Sequence, residues 1–457
     1  MFVDNRSVKA IALIIAVIGL AACGSREDVA EDVETLSNPD SAPEYVGESE
    51  RSEPEDGAEE SLVVSGAGVA RMDVDSCATF TDINSVDVTK AEADFSSPLP
   101  IETLGTVNNL NAPYPDNWVV IHDANFHSMI DGRFVVFDVS AEARGMKGSF
   151  HGGRIGGFEI SQERQEAYVA TTYHSRGITG ERTDILAVHD LCTFKKKAEM
   201  VLPPILSTMT PMKNRVRLSG DESFAFAYNF TPASSVSVID VDQLTVLNEV
   251  QIPGCALIYP MGKRGFASVC GDGSVSGFVL DKAGKVLSEH RTDKIIDFDG
   301  NAMFMKPARF GTTLNFPTFQ GDMHQFDLSN GTPKFSGSWS LTTPEEREQN
   351  WRPGGWQLVT AHEERGEIFV LMHPEGGEGT HKNPGIEIWV FDEKTGDRKR
   401  KIELSLPAVS IVATRDFLVA TNVEMALDVY RLSDGALART VGGAAHTPLL
   451  VYTSDAR

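Results

Sequence analysis

A stretch between Trp351 and Leu404 constrains the fold more than any other feature of the sequence. Its third apolar segment, Ile386–Asp392, alternates its side chains with a period of two, which is the period of a β-strand. We predict four antiparallel strands, separated by turn residues, at Trp356–His362, Glu367–Met372, Ile386–Asp392 and Lys399–Leu404. A unit of this kind has two apolar faces that it cannot bury alone, so copies of it are expected to pack together.

Seven copies of one sequence mark support this repetition. Each mark is an apolar strand that ends in Asp before a polar turn, where the carboxylate can accept hydrogen bonds from backbone N–H groups just ahead. The residues that end six of these strands are Asp138, Asp190, Asp240, Asp281, Asp327 and Asp392. The seventh copy, Leu427–Arg431, ends in Arg but keeps the turn Ser433–Gly435. Marks that recur about every 40 to 65 residues predict an all-β, seven-bladed β-propeller. A large β-sandwich, or two β domains, is the alternative.

Residues 1–22 are predicted to be a lipoprotein signal peptide. The apolar segment Ala10–Ala22 is too short to span a membrane comfortably. The last residues of this segment and the next residue form Leu20-Ala-Ala-Cys23, which resembles the bacterial lipobox. This resemblance implies cleavage before Cys23 and acylation of that residue. We therefore expect a periplasmic protein that is anchored to a membrane through lipid. Gly24 after the cysteine favours the outer membrane, and a plain signal peptide is the alternative.

Residues 23–71 are predicted to form a disordered acidic tether. Residues 24–71 hold 14 Asp and Glu against three basic residues, and such a composition keeps a chain extended. An acidic recognition tail is the alternative.

Residues 72–97 are predicted to be an N-terminal extension that packs on the propeller, which occupies residues 98–457. The net charge of −24 argues against a nucleic-acid partner, which requires a basic surface.

The five cysteines fit an oxidising compartment. Four remain if Cys23 is acylated, and four cysteines allow three pairings. Cys255 and Cys270 flank two segments that are predicted to be neighbouring strands, so we pair them. Cys77 and Cys192 are then left as the second pair, with free buried thiols as the alternative. The sequence lacks a Cys-x-x-Cys motif and therefore gives no support for a metal site.

The sequence shows no recognisable catalytic set. It contains neither a Gly-x-Ser-x-Gly elbow nor a His-Glu-x-x-His motif. Arg182 could belong to a buried ion pair or to a functional site. His381 and Lys382 lie in a long insert between the second and third strands of the unit at Trp351–Leu404, where a partner contact and an ordinary loop are both open.

A resemblance to a known family rests on several separate motifs. They are Trp351–Gln357, Ser175-Arg176, Gly180–Asp184, the pair Cys255 and Cys270, His324–Leu328 and Lys394–Gly396. Together they resemble the heavy subunit of the quinoprotein amine dehydrogenases, whose type members are methylamine dehydrogenase and aromatic amine dehydrogenase. The resemblance covers roughly residues 98–457. It implies a seven-bladed propeller with a disulfide between Cys255 and Cys270.

The resemblance also implies that this chain is a non-catalytic large subunit. In the family the cofactor is tryptophan tryptophylquinone, made from two Trp of a separate light subunit that also carries the catalytic base. No cofactor and no catalytic residue are therefore expected in this chain. A heterotetramer of two heavy and two light chains would oxidise primary amines to aldehyde and ammonia, and would pass electrons to a cupredoxin or a c-type cytochrome. The alternative is a stand-alone propeller lipoprotein that acts as a binding or scaffold module.

Some site residues follow from the resemblance. Phe150, or failing that Phe158, is expected to line the substrate channel, although Ser149 replaces one of the two Gly that precede this Phe in the family. The residues expected to contact the light subunit are Trp351, Arg352, Gly354, Gly355, Trp356, His381 and Lys382. Packing inside a blade is the alternative for the two Trp, because buried Trp is common in propeller cores.

Overall fold

The computed structural model describes residues 109–454 of the 457-residue chain. The predicted signal peptide, the tether and the N-terminal extension lie outside the described residues, as do Cys23 and Cys77. Within the part that is described, no helix is both long and apolar enough to cross a membrane.

The described residues are built almost entirely from β-strands. The first fifteen are β1 (Trp118–Asp123), β2 (Gly132–Asp138), β3 (Met146–Gly153), β4 (Gly157–Ser161), β5 (Glu166–Arg176), β6 (Thr179–Asp190), β7 (Lys196–Leu202), β8 (Val216–Leu218), β9 (Phe224–Asn229), β10 (Ser235–Asp240), β11 (Thr245–Gln251), β12 (Cys255–Met261), β13 (Gly265–Cys270), β14 (Val275–Leu280) and β15 (Val286–Arg291).

The second half of the chain continues in the same way. Its strands are β16 (Ala308–Phe310), β17 (Thr313–Pro317), β18 (Asp322–Asp327), β19 (Lys334–Ser340), β20 (Arg352–Pro353), β21 (Val359–His362), β22 (Glu367–His373), β23 (Gly385–Asp392), β24 (Arg398–Ala413), β25 (Phe417–Asn422), β26 (Leu427–Arg431), β27 (Leu437–Val441) and β28 (Pro448–Thr453). One short helix, α1 (Pro344–Glu348), and two 3-10 turns, Met129–Asp131 and Thr380–Lys382, interrupt the strands. Thr343 caps α1 in a capping box with Glu346.

The strands form antiparallel sheets of a β-propeller, as the sequence predicts. Five separate four-stranded blades have the orders β28-β1-β2-β3, β4-β5-β6-β7, β8-β9-β10-β11, β12-β13-β14-β15 and β16-β17-β18-β19. The prediction of seven blades is wrong by this count, because β20 to β27 form one eight-stranded sheet. The two units merge because β24 is 16 residues long. The first half of this strand pairs with β23 and the second half with β25. The last two predicted units therefore share a strand instead of forming separate blades.

In six units the marking Asp ends the third strand, or follows it directly in the case of Asp281, and caps the turn, as predicted. Asp240 accepts hydrogen bonds from the backbone N–H groups of Asp242 at 2.8 Å and Gln243 at 2.7 Å. The other five marked carboxylates accept equivalent backbone bonds, at Asp138, Asp190, Asp281, Asp327 and Asp392. In the last unit Asp434 takes over this role and accepts from Ala436 N at 3.0 Å. The repeated Asp is thus a local turn device that recurs because the units repeat.

The predicted disulfide between Cys255 and Cys270 is confirmed. The two residues face each other directly across the antiparallel pair β12 and β13. Cys192 is also disulfide-bonded. Its predicted partner, Cys77, lies outside the described residues, so that pairing stays a prediction.

The hydrophobic core lies between neighbouring sheets. The Phe134 ring of the first sheet stacks on Phe158 of the second at 4.6 Å, and Tyr452 meets Phe158 edge-on at 5.4 Å. These rings are buried, so the apolar faces that no single unit can cover are covered by the next unit along the chain.

The two ends of the described chain meet in the first sheet, where β28 pairs with β1. The buried side chain of Gln357 reinforces this closure. Its Nε2 donates to Ile411 O at 2.8 Å and to Val451 O at 2.9 Å, and its Oε1 accepts from Val451 N at 2.9 Å. One amide thus joins the segment before β21 to the innermost strands β24 and β28.

We predict that Gln357→Leu lowers the free energy of unfolding by about 3 kcal/mol, because it leaves two carbonyls and one N–H buried without partners. Urea unfolding of the full chain measures the change. The exposed Gln243→Leu is the matched control and should be close to neutral. An equal, small effect of both substitutions would show that Gln357 does not secure the closure.

Candidate partner-binding face

The loops at one edge of the sheets form a common face. Because neighbouring strands are antiparallel, the loop that enters each innermost strand and the loop between the second and third strands leave a sheet at the same edge. At the centre of this edge, Arg215 Nη2 donates to Ile155 O and Gly156 O at 2.6 Å each, and Ile258 N donates to Asn214 O at 2.8 Å. We call this edge the connector face, and its main loops are 124–131, 177–178, 203–215, 230–234, 292–307, 341–358 and 374–384.

The predicted contact segment Trp351–Trp356 lies on this face but is mostly packed against the fold. Trp351 is half-buried and its ring lies 5.2 Å from Trp389. Arg352 donates to Phe319 O at 3.4 Å and to the Gln320 side chain. Trp356 is only 7% exposed. Both Trp therefore have the packing role that was the alternative, and contact with a light subunit stays a prediction.

Positions 354 and 355 require glycine because the 374–384 loop lies directly against them. A Cβ on Gly354 would lie 2.5 Å from the His373 ring and 2.8 Å from Asn383 O. Gly355 has a φ of +121° and donates to His381 O at 3.2 Å. Only glycine lets the two loops approach so closely. The sequence motif is explained by this contact.

Trp356 reaches from this segment to a distant loop. Its Nε1 donates to Pro211 O at 3.1 Å, which ties the 341–358 loop to the 203–215 loop. Lys306, from the 292–307 loop, holds its ammonium 4.3 Å from the centre of the Trp356 ring. The ammonium of Lys382 lies 5.8 Å from the same ring centre. Four loops of the connector face thus converge on one indole.

Burial and like charges around this indole lower the pKa values of two side chains. Burial lowers the pKa of Lys306 to about 7, and the ammonium of Lys382 adds to the shift. The ring of His381 is affected in the same way: partial desolvation and the charges of Lys382 and Lys306 lower its pKa. The sequence pointed to His381 and Lys382 but missed Lys306, because nothing in its local pattern separates it from an ordinary loop lysine.

A long hairpin also stands on the connector face. Strands β5 and β6 have 11 and 12 residues and extend past the other strands to a tip at Ile178. Arg182 forms two hydrogen bonds of 2.8 Å with the fully buried Asp184 and donates to Leu206 O at 2.7 Å. The open question about Arg182 is therefore answered by a structural ion pair that braces the hairpin against the 203–215 loop.

Large apolar side chains are exposed on the same face. Their exposed fractions run from 40 to 63%, and they are Ile130, Tyr173, Ile178, Met209 and Phe230. All five lie on the hairpin β5–β6 or on loops of the first three sheets. This set is not predictable from the sequence, because isolated apolar residues in loops carry no periodic signal. Exposed apolar groups that gather on one face mark an interaction surface.

The two candidate channel residues lie inside the core. Phe150 in β3 is 1% exposed and packs beside Phe194, and Phe158 in β4 is 3% exposed. The two rings lie 6.0 Å apart. The structure brings them together, but their role in a substrate channel stays a prediction. Over residues 109–454 no group of three or more His, Cys, Asp and Glu could hold a metal ion.

Comparison with known proteins gives a consistent family match. The family described as methylamine dehydrogenase heavy chain (MADH) matches residues 115–455. The methylamine dehydrogenase heavy chain of Methylophilus methylotrophus is 25% identical over 342 residues, which are 74% of this chain and 83% of the relative. That of Paracoccus versutus is 29% identical over 359 residues, 76% of this chain and 82% of the relative.

Solved structures show a likeness of fold alone. A putative 6-phosphogluconolactonase from Bacteroides fragilis has a TM-score of 0.50 at 8% identity, over 73% of this chain and 96% of that protein. A protein from Lactobacillus plantarum has a TM-score of 0.50 at 13% identity, over 73% of this chain and 98% of that protein.

The lowered pKa of Lys306 predicts a pH-dependent stability. Below about pH 7 the amine is charged in both folded and unfolded states, so folding carries the full cost of burying the charge. From about pH 7 upwards the unfolded chain binds more protons than the folded chain does. The cost of burying the charge therefore falls as the pH rises towards the pKa of this amine in the unfolded chain. We expect Lys306→Met to stabilise the protein at about pH 6 and to lose this advantage at about pH 9.5.

Thermal unfolding of both proteins at the two pH values measures this change. The exposed Lys282→Met is the control, and its effect should not vary with pH in this way. A constant difference between wild type and Lys306→Met would show that the amine has an ordinary pKa.

Proposed function

Because the chain belongs to the methylamine dehydrogenase heavy chain family, we propose that it is the non-catalytic large subunit of a periplasmic amine dehydrogenase that deaminates primary amines oxidatively. The chain matches these relatives over more than four-fifths of their length. The products are an aldehyde and ammonia, and the electrons pass to a cupredoxin or a c-type cytochrome.

The redox chemistry belongs to the partner subunit. A tryptophan tryptophylquinone on the light subunit supplies the carbonyl chemistry, and the catalytic base lies there too. The heavy chain contributes a rigid platform that holds the light subunit, excludes water and limits the width of the substrate channel. Phe150 and Phe158 are the candidates for shaping that channel.

The exposed apolar side chains on the connector face are the observation that supports a light-subunit partner here. Ile178 at the hairpin tip is 63% exposed, Met209 is 56% and Phe230 is 50% exposed. Covering such side chains favours association, and large apolar groups usually provide most of the binding energy. The ion pair of Arg182 with Asp184 holds the hairpin in place before binding, which lowers the entropic cost of docking.

The cellular location is proposed from the N-terminal sequence. The segment Leu20–Cys23 would give a lipid-modified N-terminus that anchors the complex to the periplasmic side of a membrane, with the outer membrane favoured by Gly24. The acidic residues 24–71 would separate the propeller from the lipid.

Purification of the tagged full chain from its native host, in mild detergent, tests the assignment. We expect a small subunit to co-purify, with a visible quinone band that bleaches when a primary amine is added. We expect Ile178→Asp to reduce recovery of that subunit at least tenfold, because it places a charge in an apolar interface.

Leu287→Asp is the matched control, since Leu287 is 66% exposed on the outermost strand β15, just after the turn at Asp281 on the edge opposite the connector face. A lone propeller without a chromophore would contradict the amine dehydrogenase assignment and leave the scaffold function. An intact, bleachable complex with Ile178→Asp would leave the assignment standing but contradict docking at the hairpin.

A further inference from the structure

Two lysines meet at one aromatic ring in the centre of the connector face. The ammonium groups of Lys306 and Lys382 lie 4.3 and 5.8 Å from the centre of the Trp356 ring. They come from different loops, 292–307 and 374–384, and the fold brings them together. Both side chains are half-buried, and the exposed ring of His381 is their neighbour. The cluster therefore concentrates positive charge in a chain whose net charge is −24.

Among residues 109–454, no carboxylate forms an ion pair with Lys306 or Lys382, and the charge that most affects Lys306 is that of Lys382. Some other lysines with partly buried side chains among these residues, such as Lys197 and Lys401, do have carboxylate partners. Lys401 also lies over two Trp rings, but it contacts Glu346 at 2.9 Å and Glu387 at 3.6 Å. A cation–π contact partly replaces lost hydration, but it does not neutralise charge. The lysine cluster thus lacks the counter-charge that Lys401 has.

We propose that Lys306 and Lys382, beside Trp356, form a binding site for a carboxylate group that the described part of the chain does not supply. The carboxylate accepts hydrogen bonds from both ammonium groups and lies at the edge of the indole. It provides the missing counter-charge and removes the repulsion between the two lysines. The source is either a free organic acid or an acidic side chain of the light subunit, and only the second source rests on the proposed function.

Nuclear magnetic resonance of lysines that carry 13C-labelled dimethyl groups tests this site on the purified full chain. The signals of Lys306 and Lys382 are assigned by their loss in Lys306→Arg and Lys382→Arg. Acetate is titrated at about pH 6, which is below the pKa of about 7 of Lys306. We expect both signals to shift with saturation, and the double variant Lys306→Met, Lys382→Met to weaken acetate binding at least tenfold. The double variant Lys282→Met, Lys285→Met should bind acetate as the wild type does.

A second arm separates the two sources. The same signals are recorded for the complex with the light subunit, with and without acetate. Signals that the light subunit shifts, and that acetate no longer moves, identify a carboxylate of the partner. Signals that respond to acetate equally in the free chain and in the complex identify a free acid as the ligand. If neither acetate nor the light subunit shifts them, the proposal is overturned. If no light subunit can be obtained, the proposed function fails, and the acetate titration still decides whether the site exists.

Discussion

Closure of the ring between β28 and β1 is the constraint on which the rest of the structure depends. Each sheet has an apolar face that only its neighbour can bury, so a ring with a gap would leave two faces and two strand edges in water. The pairing of β28 with β1 fills this gap, and the Gln357 amide holds β24 and β28 beside the segment before β21. The connector face exists because this closure fixes the loops around a common centre.

The sequence predicted the units of the fold well but not how they join. The Asp marks, the strands around them and the pair Cys255 and Cys270 follow from local patterns of alternation and turn chemistry, and the structure confirms them. The merger of the last two units was missed because β24 looks locally like the end of one unit and the start of another. The closing strand β28 was missed because Pro448–Thr453 carries no mark and pairs with a strand more than 300 residues away.

The candidate site was predicted only in part for the same reason. Glycines and tryptophans at Trp351–Trp356 stand out in the sequence. The structure explains the glycines by the close approach of the 374–384 loop, Trp351 by packing on Trp389, and Trp356 by its contact with the 203–215 loop. Lys306 and the exposed Ile178, Met209 and Phe230 have no local signature, and their importance comes from which loops the closed ring brings together. A surface of this kind can be recognised only in three dimensions, because its members come from loops that are far apart in the chain.

The central claim is that the connector face holds a light subunit, and hydrogen–deuterium exchange of the native complex tests it most directly. Compared with the free heavy chain, the complex is predicted to protect backbone amides at the hairpin tip around Ile178 and in the 203–215 loop. The turns after Asp240 and Asp281, at the opposite edge of the sheets, should exchange at unchanged rates. Protection of those turns, with none at the hairpin, would contradict this account.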